Sequence, residues 1–165
     1  MHSHFNAAEM DRIDRSINSF ATQSFRNQAD RDYIAARLAC RAELFPQFLW
    51  SSQQAIEKYL KAILLYNRIE AKNVKHDISA AMSLTNKLPF AIELSERSQK
   101  LVEHIAVCGE YRYIDIPYHV EGYLLIDLDL AVWEIRRYCQ VLNVFGKELP
   151  TEEAALLARA QSDLL

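Results

Sequence analysis

Arg112 and His119 are the residues of this sequence best placed to do chemistry. With Tyr113-Ile114-Asp115-Ile116-Pro117-Tyr118 between them, they put a permanent cation and a proton-transfer group at a junction between two expected helices. An arginine fork can pair with two phosphate oxygens and stays charged at neutral pH. A neutral histidine can accept a proton and a protonated one can donate it. Pro117 disfavours helical backbone at Ile116 and suits the first turn of a following helix. His119 would then lie near a helix amino terminus, where backbone N–H groups attract phosphate and extra positive charge on the ring is disfavoured. The segment also has a plain structural reading, a tyrosine-rich turn held by Pro117. Tyr111, Tyr113 and Tyr118 can stack on bases, or cover the junction with their rings while their hydroxyls stay wet.

A second polar group lies earlier in the chain. Gln53, Glu57 and Lys61 follow one another at four-residue intervals and share one face of a helix. Glu57 precedes Lys61 in the favourable order for an ion pair, which on a solvated face contributes only about 0.3 kcal/mol. Partly buried beside Arg112, Glu57 would instead orient that cation. The adjacency of His76 and Asp77 suits helix capping and loop fixation better than metal binding. His2, His4 and His104 have no compact spacing that makes a zinc site, and the three cysteines, at 40, 108 and 139, read as small apolar residues. Arg136 and Arg137 form a short positive patch, either solvated or in contact with phosphate. There is no glycine-rich phosphate loop and no paired acidic motif of a glycosidase or two-metal nuclease. No metal and no cofactor is expected.

The elements that would position these groups are helices. Glycine occurs only at 109, 122 and 146 and proline only at 46, 89, 117 and 150, so the interruptions are few. A polar helix is predicted over residues 7 to 25 and another from Asp30 or its neighbours to 44. The strongest signal follows Pro46 and runs to 67, where Leu49, Ser52, Ile56, Tyr59, Leu60, Ile63 and Leu64 recur near the helical period. This is expected to be the central helix. Asp77 should cap a short helix over 78 to 88, and Pro89 should start another that ends near Gly109. Its buried face is expected to carry Ile92, Leu94, Leu101, Ile105 and Cys108. A long helix is predicted over 119 to 144, burying Leu124, Leu125, Leu128, Val132, Ile135, Tyr138, Cys139 and Leu142 and leaving Asp127, Glu134 and Arg137 to face water. Pro150 and Thr151 open a last, peripheral helix to 165. No run alternates with period two, so the expected class is all-α, an antiparallel bundle of four or five helices.

Composition bounds the rest. A chain of 165 residues with 50% apolar residues suits one helical domain over residues 1 to 165. A formal charge of -3 makes no general case for nucleic-acid binding, although it leaves room for a local basic site. The odd number of cysteines argues against a disulfide scaffold and for a reducing cytoplasm. No stretch approaches a membrane span or a signal peptide.

Three blocks together carry a resemblance: Gln53-Gln54-Ala55-Ile56-Glu57-Lys58-Tyr59-Leu60-Lys61-Ala62-Ile63-Leu64-Leu65, then Lys75-His76-Asp77-Ile78, then Tyr111-Arg112-Tyr113-Ile114-Asp115. In their order and spacing they resemble the HEPN family, over a core of about residues 31 to 142. The resemblance implies an α-helical bundle that is often a homodimer. It implies one of two roles: a metal-independent ribonuclease that uses an Arg/His pair across a dimer, one His of two symmetry-related copies serving as proton acceptor and the other as donor, with some relatives toxins of toxin-antitoxin pairs; or a noncatalytic subunit that binds a nucleotide or partners a nucleotidyltransferase. A bundle that only mediates interactions is a third reading. In the ribonuclease branch, Arg112 and His119 match the outer residues of the motif at its longest spacing, with Tyr113 where a polar residue is frequent. They would be catalytic, with Glu57, Lys61, Tyr111, Tyr113, Asp115 and Tyr118 supporting them or binding substrate. Arg112 to Asp115 also resembles the Arg-Tyr-Pro-Asp segment of the nucleotidyltransferase-partner branch, with Ile114 in place of proline. RNA or a nucleotide, and an antitoxin or a nucleotidyltransferase, are the partners these branches imply.

Overall fold

The computed structural model describes residues 7–71, 74, 76–110 and 124–140. Among them the chain is all-α, a multi-helix bundle without a strand. The order is α1 (Ala7–Phe20), a π-helical segment (Ala21–Arg26), α2 (Asn27–Arg41), α3 (Phe45–Tyr66), α4 (Ile78–Thr85), α5 (Glu96–Glu110), α6 (Leu124–Arg136) and a 3₁₀ turn (Arg137–Cys139).

α3 is the central helix. Pro46 lies in its first turn, where the missing N–H would have had no intrahelical acceptor. Phe48, Ile56, Tyr59, Leu60, Ile63 and Leu64 are fully buried against the surrounding helices. Each such side chain contributes roughly 1.5–3 kcal/mol relative to exposure. α2, α4, α5 and α6 all pack on α3, and α5 packs on α6.

The predicted break between the first two helices does not occur. Phe20 and Asn27, on either side of the π segment, both keep right-handed helical dihedrals, so α1, the π segment and α2 form one continuous path. Asp30 therefore starts no helix. Tyr59 donates to its Oδ1 at 2.6 Å, and Arg136 donates Nε to Oδ1 at 2.8 Å and Nη2 to Oδ2 at 3.1 Å. One carboxylate thus ties α2, α3 and α6 together.

α2 and α3 both end without glycine. Glu43 (φ 59°) and Arg68 (φ 60°) take the left-handed conformation. After α3, Ile69 N–H donates to Leu64 O at 2.8 Å and Arg68 N–H to Leu65 O at 3.0 Å; after α2, Leu44 donates to Ala39 O and Glu43 to Cys40 O in the same pattern. These paired bonds satisfy helix-end carbonyls, at a cost of roughly 1–2 kcal/mol for the side chain at positive φ.

α4 begins as expected, with Ala80 N–H donating to Asp77 Oδ1 at 2.9 Å, but it ends at Thr85 rather than near 88. α5 starts at Glu96, six residues after Phe90, because Ser95 caps it. Ser98 N–H donates to Ser95 Oγ at 3.3 Å, and Ser95 N–H donates in turn to Glu134 Oε2 of α6 at 2.9 Å. The other helix thus supplies the carboxylate that a local capping box would take from its own third residue. Ile92 and Leu94 precede α5 but still pack against the core, and Phe90 stacks on Tyr138 with ring centroids 5.6 Å apart.

The water-facing set expected on α6 is engaged instead. Glu134 is buried, Arg97 donates Nε to Asp127 at 2.8 Å, and Arg137 stacks on Tyr138 with 4.9 Å to the centroid. The predicted helical stretches over 119 to 123, 141 to 144 and 151 to 165 lie outside the described residues.

Candidate functional site

α3 carries a run of four polar or charged side chains inside its buried stretch: Ser51, Ser52, Gln53 and Gln54, followed one turn on by Glu57. Glu57 is 2% exposed, which is rare for a carboxylate unless it is paired. Lys61 donates Nζ to Glu57 Oε1 at 2.5 Å, and Glu57 Oε2 lies 3.3 Å from His76 Nδ1. An ionised carboxylate only accepts, so in this contact it pairs with the imidazole tautomer that carries its hydrogen on Nδ1. Gln53 Nε2 donates to the carbonyl of His76 at 3.2 Å, fixing the backbone from which the imidazole projects. Asp77, the next residue, is fixed in turn as the cap of α4. Ser52 Oγ, Gln53 Oε1 and Gln54 Nε2 are buried and have no hydrogen-bond partner among the described residues.

A cavity of about 310 Å³ adjoins Lys61 on the side of the π segment. Phe20, Phe25, Leu65, Glu70, Ala71 and Val74 complete its lining. Phe20 and Phe25 meet edge to face, with centroids 5.7 Å apart.

Of the site residues read from the sequence, the structure brings together Glu57 and Lys61. Arg112, His119, Tyr111, Tyr113, Asp115 and Tyr118 lie outside the described residues. The chain positions on either side of them are the end of α5 and the start of α6, and both helices pack on α3. His76, read as a loop residue, joins Glu57 across 19 positions of chain. The signals in the sequence were the adjacency of a histidine to a capping aspartate and the place of both in the Lys75-His76-Asp77-Ile78 block, and neither points to the distant carboxylate.

Arg136 is withdrawn from phosphate by its two bonds to Asp30. Burial alone would push the Asp30 carboxyl up, but the hydrogen bonds and charge of Arg136, with the bond from Tyr59, outweigh it and hold Asp30 below its usual value. The bond to Asp30 likewise raises Arg136. Cys139 is fully buried and burial pushes its thiol up to about 12, so it behaves as a small apolar residue, with Sγ 3.5 Å from Tyr59 O. Burial also raises the thiols of Cys40 and Cys108. Among the described residues no three His, Cys, Asp or Glu side chains gather to hold a metal ion, and no helix is long and apolar enough to cross a membrane.

Comparison with known families places a match to the HEPN domain over residues 22–122, a span that includes α2 to α5 and both Arg112 and His119. No curated protein and no solved structure matches.

Proposed function

Because the chain belongs to the HEPN domain family, we propose that it is a metal-independent endoribonuclease, working as a homodimer, with Arg112 and His119 as its catalytic pair. The observation that carries this reading is the extent of the family match, which runs through both residues. Arg112 pairs with the oxygens of the scissile phosphate and offsets the charge that builds there as the oxygen attacks. His119, neutral at the start, takes the proton of the RNA 2′-hydroxyl. The O2′–P bond forms and the P–O5′ bond breaks with its electron pair on O5′, which takes a proton from the protonated His119 of the partner subunit and leaves as a 5′-hydroxyl, so a 2′,3′-cyclic phosphate remains. None of these steps calls for a metal. Tyr111, Tyr113 and Tyr118 supply rings on which unpaired bases stack, while Asp115 and the Glu57–Lys61 pair support the cationic side of the site.

The test is cleavage of a set of unstructured RNA oligonucleotides in the presence of a chelator. Arg112→Ala and His119→Ala should each lose at least about 10²-fold in rate, with helical content unchanged. Failure of the wild-type protein to cleave any of the RNAs would sink the reading. A second reading rests on Arg112-Tyr113-Ile114-Asp115, which resembles the noncatalytic branch. On that reading the chain binds a nucleotidyltransferase and cleaves nothing, and co-purification with such an enzyme, without cleavage, would favour it.

A further inference from the structure

α2 and α6 lie side by side and antiparallel. Arg136 pairs with Asp30 at 2.8 Å and Arg37 with Asp129 at 2.5 Å, so the partner's number falls as the number along α2 rises. Tyr33 donates to the same Asp129 at 2.7 Å. Beside this seam each helix turns a ridge to solvent. On α2, Arg31, Ile34, Leu38 and Arg41 follow one another at intervals of three, four and three, which sets them in one row along the helix. On α6, Ile126 and Trp133 are two turns apart on one side. Ile34 and Trp133 both fall between the two ion pairs and so stand at the same level of the seam. Ile34, Leu38, Ile126 and Trp133 are 55%, 59%, 58% and 60% exposed. Single exposed apolar side chains are ordinary, but four on two adjacent ridges make a patch of the kind a partner covers.

We propose that this outer face of α2 and α6 docks an acidic amphipathic helix of another protein, a role separate from RNA cleavage. The charge around the patch sets the chemistry of the occupant. Asp30 and Asp129 are both taken by arginines across the seam, whereas Arg31 and Arg41, at the two ends of the α2 row, are exposed and have no ion-pair partner among the described residues. Arg137 lies over the Trp133 ring, 5.6 Å from its centroid, and adds positive charge at the α6 side. The patch is thus apolar with a positive border, in a chain whose formal charge is -3. An incoming helix with apolar residues at helical spacing covers the four side chains, and carboxylates on its flanks meet the arginines. A second copy of the same face would set one arginine border against the other, with both aspartates already engaged. RNA would satisfy the arginines but leave the aliphatic side chains of Ile34, Leu38 and Ile126 uncovered.

The experiment titrates the full-length protein into three labelled synthetic helices of roughly 18 residues, five turns long. All three carry leucines at helical spacing, with Glu, Gln or Lys on the flanks, and binding is read by fluorescence anisotropy. The Glu peptide should bind at least about tenfold more tightly than the other two, and its affinity should fall as salt rises. Leu38→Asp should weaken it by about tenfold or more. The double variant Arg31→Glu/Arg41→Glu should reverse the preference and favour the Lys peptide, a gain that a misfolded protein could not show. Failure of the wild type to bind the Glu peptide, equal binding of the Glu and Gln peptides, or no effect of Leu38→Asp overturns the proposal. Two further outcomes also overturn it: self-association that Leu38→Asp abolishes, which would make a second copy the occupant, and binding of a single-stranded RNA that Leu38→Asp abolishes, which would make it a nucleic acid.

Discussion

Glu57 shows how spacing and burial divide the evidence about one residue. Its pairing with Lys61 is readable from the four-residue interval, because any helix brings such residues together. Its burial is not readable that way, since it depends on which face the surrounding helices cover. Burial changes the magnitude: on an open face the pair contributes a few tenths of a kcal/mol, but removing one partner of a buried pair costs several times more. Glu57→Ala should therefore destabilise the fold by about 2–3 kcal/mol, a figure below the usual range because the flexible stem of Lys61 can carry its ammonium towards water. Urea unfolding of the variant would check this, and a loss within a few tenths would show the carboxylate to be effectively solvated. Glu43 offers the opposite case. It sits at φ 59° with none of its described backbone bonds dependent on its side chain. Glu43→Gly removes the steric cost of that conformation but adds freedom to the unfolded chain, for a net gain of about 0.5–1 kcal/mol. A rise of a few degrees in the thermal midpoint is expected, and a fall would mean that the glutamate side chain contributes more than its backbone strain costs.

Elements were legible where their ends use ordinary signals. Pro46 in the first turn of α3 and Asp77 at the cap of α4 are both of this kind, and so is the apolar period of α3, which every neighbouring helix reinforces. Three features were not. The π segment leaves no mark in the apolar pattern, because an extra residue in a helical path shifts the buried face without breaking the helix. The cap of α5 is completed by Glu134, 39 positions away, so no local motif announces it. The end of α3 uses Arg68 where a glycine would be sought, and the side chain explains why: Arg68 Nε donates to Asp14 Oδ1 at 2.7 Å, Nη1 to Asn18 Oδ1 at 2.9 Å, and Nη2 to Asp14 O at 3.2 Å. A strained residue at the end of one helix thus clamps another. Arg68→Ala should lower stability by about 1–3 kcal/mol, since it removes charge-assisted bonds and keeps the unfavourable dihedral. Hydrogen exchange should show the loss concentrated in α1, with α3 still protected; uniform loss across the bundle would mean that α1 is held mainly by its other contacts.

At the scale of the whole molecule, two carboxylates join helices that are distant in sequence, and both titrate below their ordinary values. For Asp30, hydrogen bonds from Arg136 and Tyr59 and the charge of Arg136 outweigh burial. For Glu134, burial is outweighed by hydrogen bonds from Ser98 and from the Ser95 amide and hydroxyl. Each group holds its proton less tightly in the folded protein than in the unfolded one, so folding favours the ionised form. Its contribution is then fully present above the ordinary values, 3.8 for Asp30 and 4.5 for Glu134, and is lost as pH falls through the lower folded values. The Asp30 link ties α2 and α3 to α6, and the Glu134 link ties α6 to the start of α5, so protonating both loosens the arrangement on either side of residues 111–123. Asp30→Asn combined with Glu134→Gln should therefore be less stable than the wild type at pH 7, and the difference should shrink steadily below about pH 4 as the wild type loses the same two charges. Urea midpoints for both proteins across this range would measure the gap. A gap that stays constant into acid would mean that the two side chains stabilise the bundle through packing and neutral hydrogen bonds, with their charge contributing nothing.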